Sequence, residues 1–446
     1  MIPTKKGKFE KLSSGFINNI PQNWYIKSAR YLGRFTGGGI DKKTSENETL
    51  VRMINYLDVY NSNNGRVDTN NELMITTATE EKIKSVKVSY GDILITPSSE
   101  TSDDIGHAAM VAEINEDIVY SYHLTRFIPG EELEPSFVTW AFNSLPIRAH
   151  LSSVCTGTTR MVLSLEDFKS TIIPVPPKPE QKKIANFLSK ETAKIDELIQ
   201  KQEKLIELVE EKQRAEILLN VTQGINFCGD YKNSTNIWLE KIPSHWDEGN
   251  LKILSRIYSG GTPDKSIQEY WSNGTVPWLN SGAVNDFYIH DPSEFITEDA
   301  LNKSSAKWIP KGSILVALAG QGKTKGMAAQ LMFDSTCNQS MCAVVPNSRL
   351  NAEYLHWWLH ANYQNIRNLA GGDLRDGLNL EMIGSIKCPL PPHAEQVVIS
   401  NYLKKLRNNN SKLIKKCKHS ISLLKEHRAS LISAAVTGKI DMGSFT

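Results

Sequence analysis

The chain has 446 residues, 40% of them apolar and 22% charged, with a formal charge of +2. That composition excludes large-scale disorder and leaves room for two or three domains. The longest strongly apolar run, residues 313–320, is far short of a membrane span, and the lysine-dotted opening, residues 1–12, lacks a signal-peptide core, so a cytoplasmic protein is expected.

In chain order the first landmark is Ile20-Pro21-Gln22-Asn23-Trp24, followed by an apolar stretch and then glycines up to Gly39. It returns as Ile242-Pro243-Ser244-His245-Trp246, again with glycines after it, at Gly260 and Gly261. Next, Tyr90-Gly91-Asp92-Ile93-Leu94-Ile95 answers Lys311-Gly312-Ser313-Ile314-Leu315-Val316, a glycine turn into a strand in both places. An aromatic helix over 136–142 answers one over 353–359, aligning Trp140 with Trp357 as core residues. The segment from Arg160 to Phe168 answers that from Arg375 to Ile383.

Each half then ends in a long charged segment. A shift of 215 positions lays Pro176-Pro177, Glu180-Gln181, Leu188 and Val221-Thr222 over Pro391-Pro392, Glu395-Gln396, Leu403 and Val436-Thr437. Prolines open both segments, and neither contains glycine before Gly224 or Gly438, so each reads as one long helix, or rod. Leu188, Ile195, Leu198, Leu205 and Val209 form a coiled-coil seam with Glu191 and Gln202 in its gaps; Leu403, Leu406, Leu413 and Leu424 repeat it with Asn410, Cys417 and Ser420. Rods of this size, about 60 Å at 1.5 Å per residue, can act as spacers. Their charge differs. Residues 391–440 hold ten Lys/Arg against Glu395 and Glu426 alone, whereas 176–225 hold nine of each sign. The second rod therefore faces a polyanion such as DNA, or is simply a solvated face.

Chemistry is sparse. The six cysteines form no CxxC, no HExxH occurs, and free buried thiols are expected with no metal. Residues 317–324, ending Gly322-Lys323-Thr324, fit a relaxed phosphate loop, but Lys325-Gly326 interrupts the helix that such a loop needs. A polar loop touching DNA is the better account, with a nucleotide-binding enzyme as the alternative. The glycines at 37–39 and 260–261 read as turns or phosphate cradles, and Asn338-Gln339 as amides able to read adenine or as buried structural groups. No catalytic constellation is found.

These features together resemble the DNA-specificity subunit of type I restriction-modification enzymes. The resemblance rests on PxPPxxEQ opening each rod (Pro174 to Gln181, Pro389 to Gln396), on IPxxW before each domain, and on the closing residues 434–441. It implies an α+β fold: two similar mixed α/β target-recognition domains, at 1–173 and 226–388, separated by two antiparallel coiled-coil helices, at 174–225 and 389–446, in a pseudo-twofold internal repeat. It implies a non-catalytic chain that reads a bipartite, asymmetric DNA site, with methylation subunits, two of them expected, docked on the helices. Restriction subunits can join; S-adenosylmethionine and ATP are expected on those partners and no cofactor on this chain. A coiled-coil scaffold that does not touch DNA is the further alternative. Polar loops nominate Lys42, Lys43, Ser98, Ser99, Arg126, Thr158 and Arg160 as DNA contacts in the first domain. In the second they nominate Thr262, Lys265, Asn280, Ser281, Gln321, Lys323, Thr324 and Arg375.

Overall fold

The computed structural model describes residues 9–14, 16–62, 64–70, 72–320, 322–371 and 377–444. The chain divides into two compact units: the described residues up to Lys204 with those from Cys417 on, and Leu205–Lys416. Each rod thus contributes one part to each unit.

The repeat is a repeat of strand order. In the first unit a five-stranded sheet runs Gly33–Thr36, Thr125–Pro129, Ile93–Ile95, Ala108–Val111, Arg66–Val67. In the second it runs Ser255–Ser259, Met341–Pro346, Ile314–Ala317, Ala328–Leu331, Tyr288–Ile289. Both sheets are antiparallel except for the last pair. The glycine-led strands Ile93–Ile95 and Ile314–Ala317 lie in the middle and are buried throughout, which is why they read as unbroken apolar runs. A three-stranded sheet centred on Thr49–Ile54 has its match centred on Val276–Leu279. Trp140 and Trp357 are both buried in their units' cores.

Each rod is one uninterrupted helix, Lys178–Gln223 and His393–Val436, and the longer spans about 70 Å. In the second unit Asn410 Nδ2 donates to Gln213 Oε1 (3.1 Å) and Tyr402 OH to Glu216 Oε2 (3.1 Å). Numbers rise along one rod as they fall along the other, so the two run antiparallel there. In the first unit Arg428 reaches Asp196 through two nitrogens, at 2.9 and 3.4 Å.

The seam departs from expectation by one residue at every second position. Along the first rod the protected residues are Leu188, Thr192, Ile195, Ile199, Gln202, Ile206, Val209 and Gln213; Ile199 is 9% exposed, but Leu198 48% and Leu205 40%. Along the second they are Leu403, Arg407, Asn410, Ile414, Cys417, Ile421 and Leu424, with Leu413 39% exposed. Adjacent apolar pairs, Leu198-Ile199, Leu205-Ile206 and Leu413-Ile414, satisfy both a three-four and a four-three spacing, and packing selects the second. Leu406 remains partly buried against the second core.

The motif that opens each rod ties it to its unit. Gln181, fully buried, accepts from Glu134 N (2.7 Å) and donates to the carbonyls of Glu132 (3.1 Å) and Pro176 (2.9 Å). Gln396 does the same with Asn351 N (2.7 Å), Arg349 O (3.0 Å) and Pro391 O (2.8 Å). Beside them Glu180 accepts from the Trp24 indole (3.0 Å) and Glu395 from that of Trp246 (3.2 Å). The rods end against the same tryptophans. Gly224 (φ +79°) and Gly438 (φ +72°) turn the chain there, and a Cβ would come within 3.2 Å of Trp246 and of Trp24, respectively. So in each unit the start of one rod and the end of the other share a tryptophan. Replacing Gln396 by Ala strands the Asn351 N–H, and urea unfolding of the second unit is expected to lose about 2–3 kcal/mol. Exposed Lys182→Ala is expected to change stability by less than about 0.5 kcal/mol.

Candidate nucleic-acid interface

In both units a glycine loop is pressed against the strand end that faces it. In the first, Ile40 N–H donates to Tyr120 O (2.9 Å) and Tyr122 N–H to Ile40 O (3.0 Å); a Cβ on Gly39 would stand 2.3 Å from Tyr120 O. In the second, Gly261 N–H donates to Cys337 O (2.8 Å), and a Cβ on Gly260 would stand 1.9 Å from the same oxygen. These glycines are neither free turns nor cradles; they let two backbones meet.

The first unit gathers side chains around this junction. Lys42 and Lys43 are exposed on the loop beyond Ile40. Tyr122, half exposed, packs its ring 3.8 Å from the His123 ring. Partial burial, reinforced by the positive charges of Lys42 and Arg160 and opposed by the carboxylate of Asp41, holds the His123 imidazole below its ordinary pKa. Arg160 Nε donates to Ser98 Oγ (3.0 Å) from a small hairpin in which Thr156 and Val162 exchange backbone hydrogen bonds, with Thr158 exposed at its turn. Lys42 and Arg160 are thus presented with an aromatic pair that sequence reasoning did not select, while Thr158 is only exposed on the hairpin that carries Arg160. The signal available for it was an aromatic-histidine dipeptide just after a buried strand.

Three expectations are corrected. Ser98 and Ser99 are buried in a strand paired with Met161–Val162, where Ser98 anchors Arg160 and is not offered outward. Arg126 is buried, with its guanidinium 2.6 Å from the carboxylate of Asp92, which commits it to an internal ion pair.

At the equivalent junction of the second unit, Thr262 donates to Gln339 Oε1, and the Lys265 ammonium lies 5.3 Å from the Trp271 ring centre and 5.8 Å from that of Trp278. Gln339 follows its strand by the same offset as Tyr122 in the first unit. A second group lies on the loop after Val276–Leu279: Asn280 caps Gly282 N (2.8 Å), Ser281 follows, and Asn285 accepts from Thr324 (3.3 Å). Exposed Lys323 lends its carbonyl to Tyr363 OH (2.6 Å). Gln321 and Arg375 lie outside the described residues. The loop carrying Lys323 and Thr324 joins the antiparallel strands Ile314–Ala317 and Ala328–Leu331. A phosphate loop must open into a helix. This one opens into a strand, which removes the basis of the nucleotide-binding alternative. Among the described residues no group of three or more His, Cys, Asp or Glu is placed to hold a metal, and no helix is long and apolar enough to cross a membrane.

The family model described as the type I restriction modification DNA specificity domain matches residues 21–208 and 243–423. The chain belongs to that family. A specificity subunit of the type I restriction enzyme MjaIX from Methanocaldococcus jannaschii is 23% identical over 442 residues, covering 95% of each chain. The EcoR124I/EcoR124II specificity subunit of Escherichia coli is 30% identical over 183 residues, 39% of this chain and 45% of that subunit. Among solved structures, a chain from work on complex assembly and conformational transition of the type I R-M system superposes with a TM-score of 0.73 at 16% identity, covering 94% of this chain and 98% of that one. The HsdS subunit from Thermoanaerobacter tengcongensis does so at 0.56 and 17%, with the same coverage. These likenesses bear on the fold, and the two family matches coincide with the two copies of the strand plan. Lys42→Ala is expected to raise the His123 pKa, read from its ring proton shifts across a pH titration; an unmoved pKa would separate the two groups.

Proposed function

We propose that this chain reads a bipartite, asymmetric DNA sequence as the specificity subunit of a type I restriction-modification complex, each unit reading one half. The observation that carries the proposal is one junction built twice with different side chains: Lys42, Tyr122, His123 and Arg160 in one unit, Thr262, Lys265 and Gln339 in the other. A shared frame with unlike donors and acceptors suits two unlike half-sites. Each wrong base pair costs roughly 1–3 kcal/mol, and two weak readers on one chain gain by effective concentration. In this reading the chain is cytoplasmic and catalyses nothing itself. S-adenosylmethionine sits on two methylation subunits and ATP on a restriction subunit.

The reading is tested by exchanging residues 226–388 for those of a relative. One half of the methylated sequence is expected to change and the other to persist; a change in both halves, or in neither, would contradict it.

The apolar residues expected on the seam, which we take as the candidates for docking and spacing, divide by exposure, with Val209, Leu406 and Leu424 partly buried. Leu188, Ile195 and Leu403 are buried and hold the units to the rods, while Leu198, Leu205 and Leu413 face outward with Leu208 and Leu218. Leu205 and Leu208, exposed together on the part of the first rod that belongs to the second unit, are the surface we assign to the methylation subunits. Leu205→Asp is expected to abolish co-purification with a methylation subunit while leaving the far-ultraviolet circular dichroism unchanged. Retained co-purification would move the docking surface elsewhere.

A further inference from the structure

The rods expose their outer faces in different ways. The first balances its charge within a helical turn, through Glu191–Lys194 (2.6 Å), Glu197–Lys201 (2.6 Å) and Lys212–Glu216 (3.5 Å). The second has no Asp or Glu between Glu395 and Glu426. Within that interval Lys404 pairs with Glu353 (3.6 Å), but Lys405, Lys412, Lys415 and Lys416 have no carboxylate within ion-pair distance among the described residues, and all four are exposed.

These four lysines share a face. At 100° per residue they fall within an arc of about 100°, on the side of the helix away from Leu403, Asn410 and Ile414. Exposed Asn401, Asn408 and Asn409 lie along the same side. Lys412 and Lys416 stand one turn apart, a like-charge spacing that weakens a helix. A face that only needed solvation would be served by the alternating signs of the first rod. An uncompensated row is instead complementary to a polyanion.

We propose that the face formed by Lys405, Lys412, Lys415 and Lys416 lies against the sugar-phosphate backbone of duplex DNA and binds it without regard to sequence. Lysine suits this role: a point charge on a flexible stem, with no acceptor and no planar fork for a base edge. The row is about 16 Å long, close to half of a 34 Å duplex turn. The inference rests on the reading that the chain binds DNA, and it makes the second rod a contact surface as well as a spacer.

The test uses the full chain and a labelled 40-base-pair duplex of arbitrary sequence, because phosphate contacts need no target. Binding is measured from 50 to 300 mM KCl for the wild type, for K405Q/K412Q/K415Q/K416Q, and for the corresponding arginine variant. The slope of log K against log salt is expected to fall by about three to four units in the glutamine variant and to be restored by arginine. The double variants K405Q/K412Q and K415Q/K416Q, each expected to remove about half of that slope, serve if the quadruple variant does not fold. A wild-type slope in the glutamine variants overturns the inference and leaves the DNA reading intact. Loss of a methylation subunit with the slope unchanged also overturns it, by assigning the face to an acidic protein. A wild-type chain that binds no duplex overturns the DNA reading itself.

Discussion

The structure depends on a buried glutamine beside a carboxylate that holds an indole. Gln181 and Gln396 each satisfy three backbone groups in the dry interior, and Glu180 and Glu395 each accept the N–H of a tryptophan from the beginning of the unit. A buried amide with all its partners contributes modestly when intact and costs much when broken. It therefore ties the first turn of each rod to the unit in which that rod begins. The same tryptophans receive the glycine at which the other rod stops. One motif thus sets where a rod begins and where its neighbour ends.

Upon that frame the two units differ where it matters for recognition. The central strands, the glycine approach to the facing strand end and the aromatic helix are held in common, whereas the loops around the glycine junction carry unlike side chains. Rigid strands hold loops at a defined place and leave their residues open to variation. An aromatic and a histidine flanked by two cations in one unit, and an amide, a hydroxyl and a lysine over tryptophan in the other, offer different hydrogen-bonding faces from the same position. The loop that imitates a phosphate-binding motif shows how much context governs chemistry. Its residues are suitable, but the strand after it provides no helix terminus to face a phosphate.

The repeat, the rods and their limits were legible in the sequence because prolines, the Glu-Gln pair and the terminal glycines recur at one fixed offset. The seam was legible only to within one residue. Leu198 and Ile199 are equally apolar, and only packing against the other rod and its unit tells them apart. The recognition surface was harder to read for a different reason. The surface we propose draws on loops about 80 and 40 residues apart, near Lys42, His123 and Arg160, and no local pattern announces their meeting. Ser98 and Arg126 misled because polar residues are normally exposed. Their burial depends on Arg160 and Asp92, partners that spacing does not identify.

The central claim is that one duplicated unit reads two separate halves of a single duplex site. Mapping methylated bases across the genome in cells with and without this chain tests it most directly. The account predicts that the methylation lost with the chain marks one motif, made of two short specified parts with a gap of constant length and unspecified sequence. A single uninterrupted motif, a variable gap, or an unchanged methylation map would contradict it.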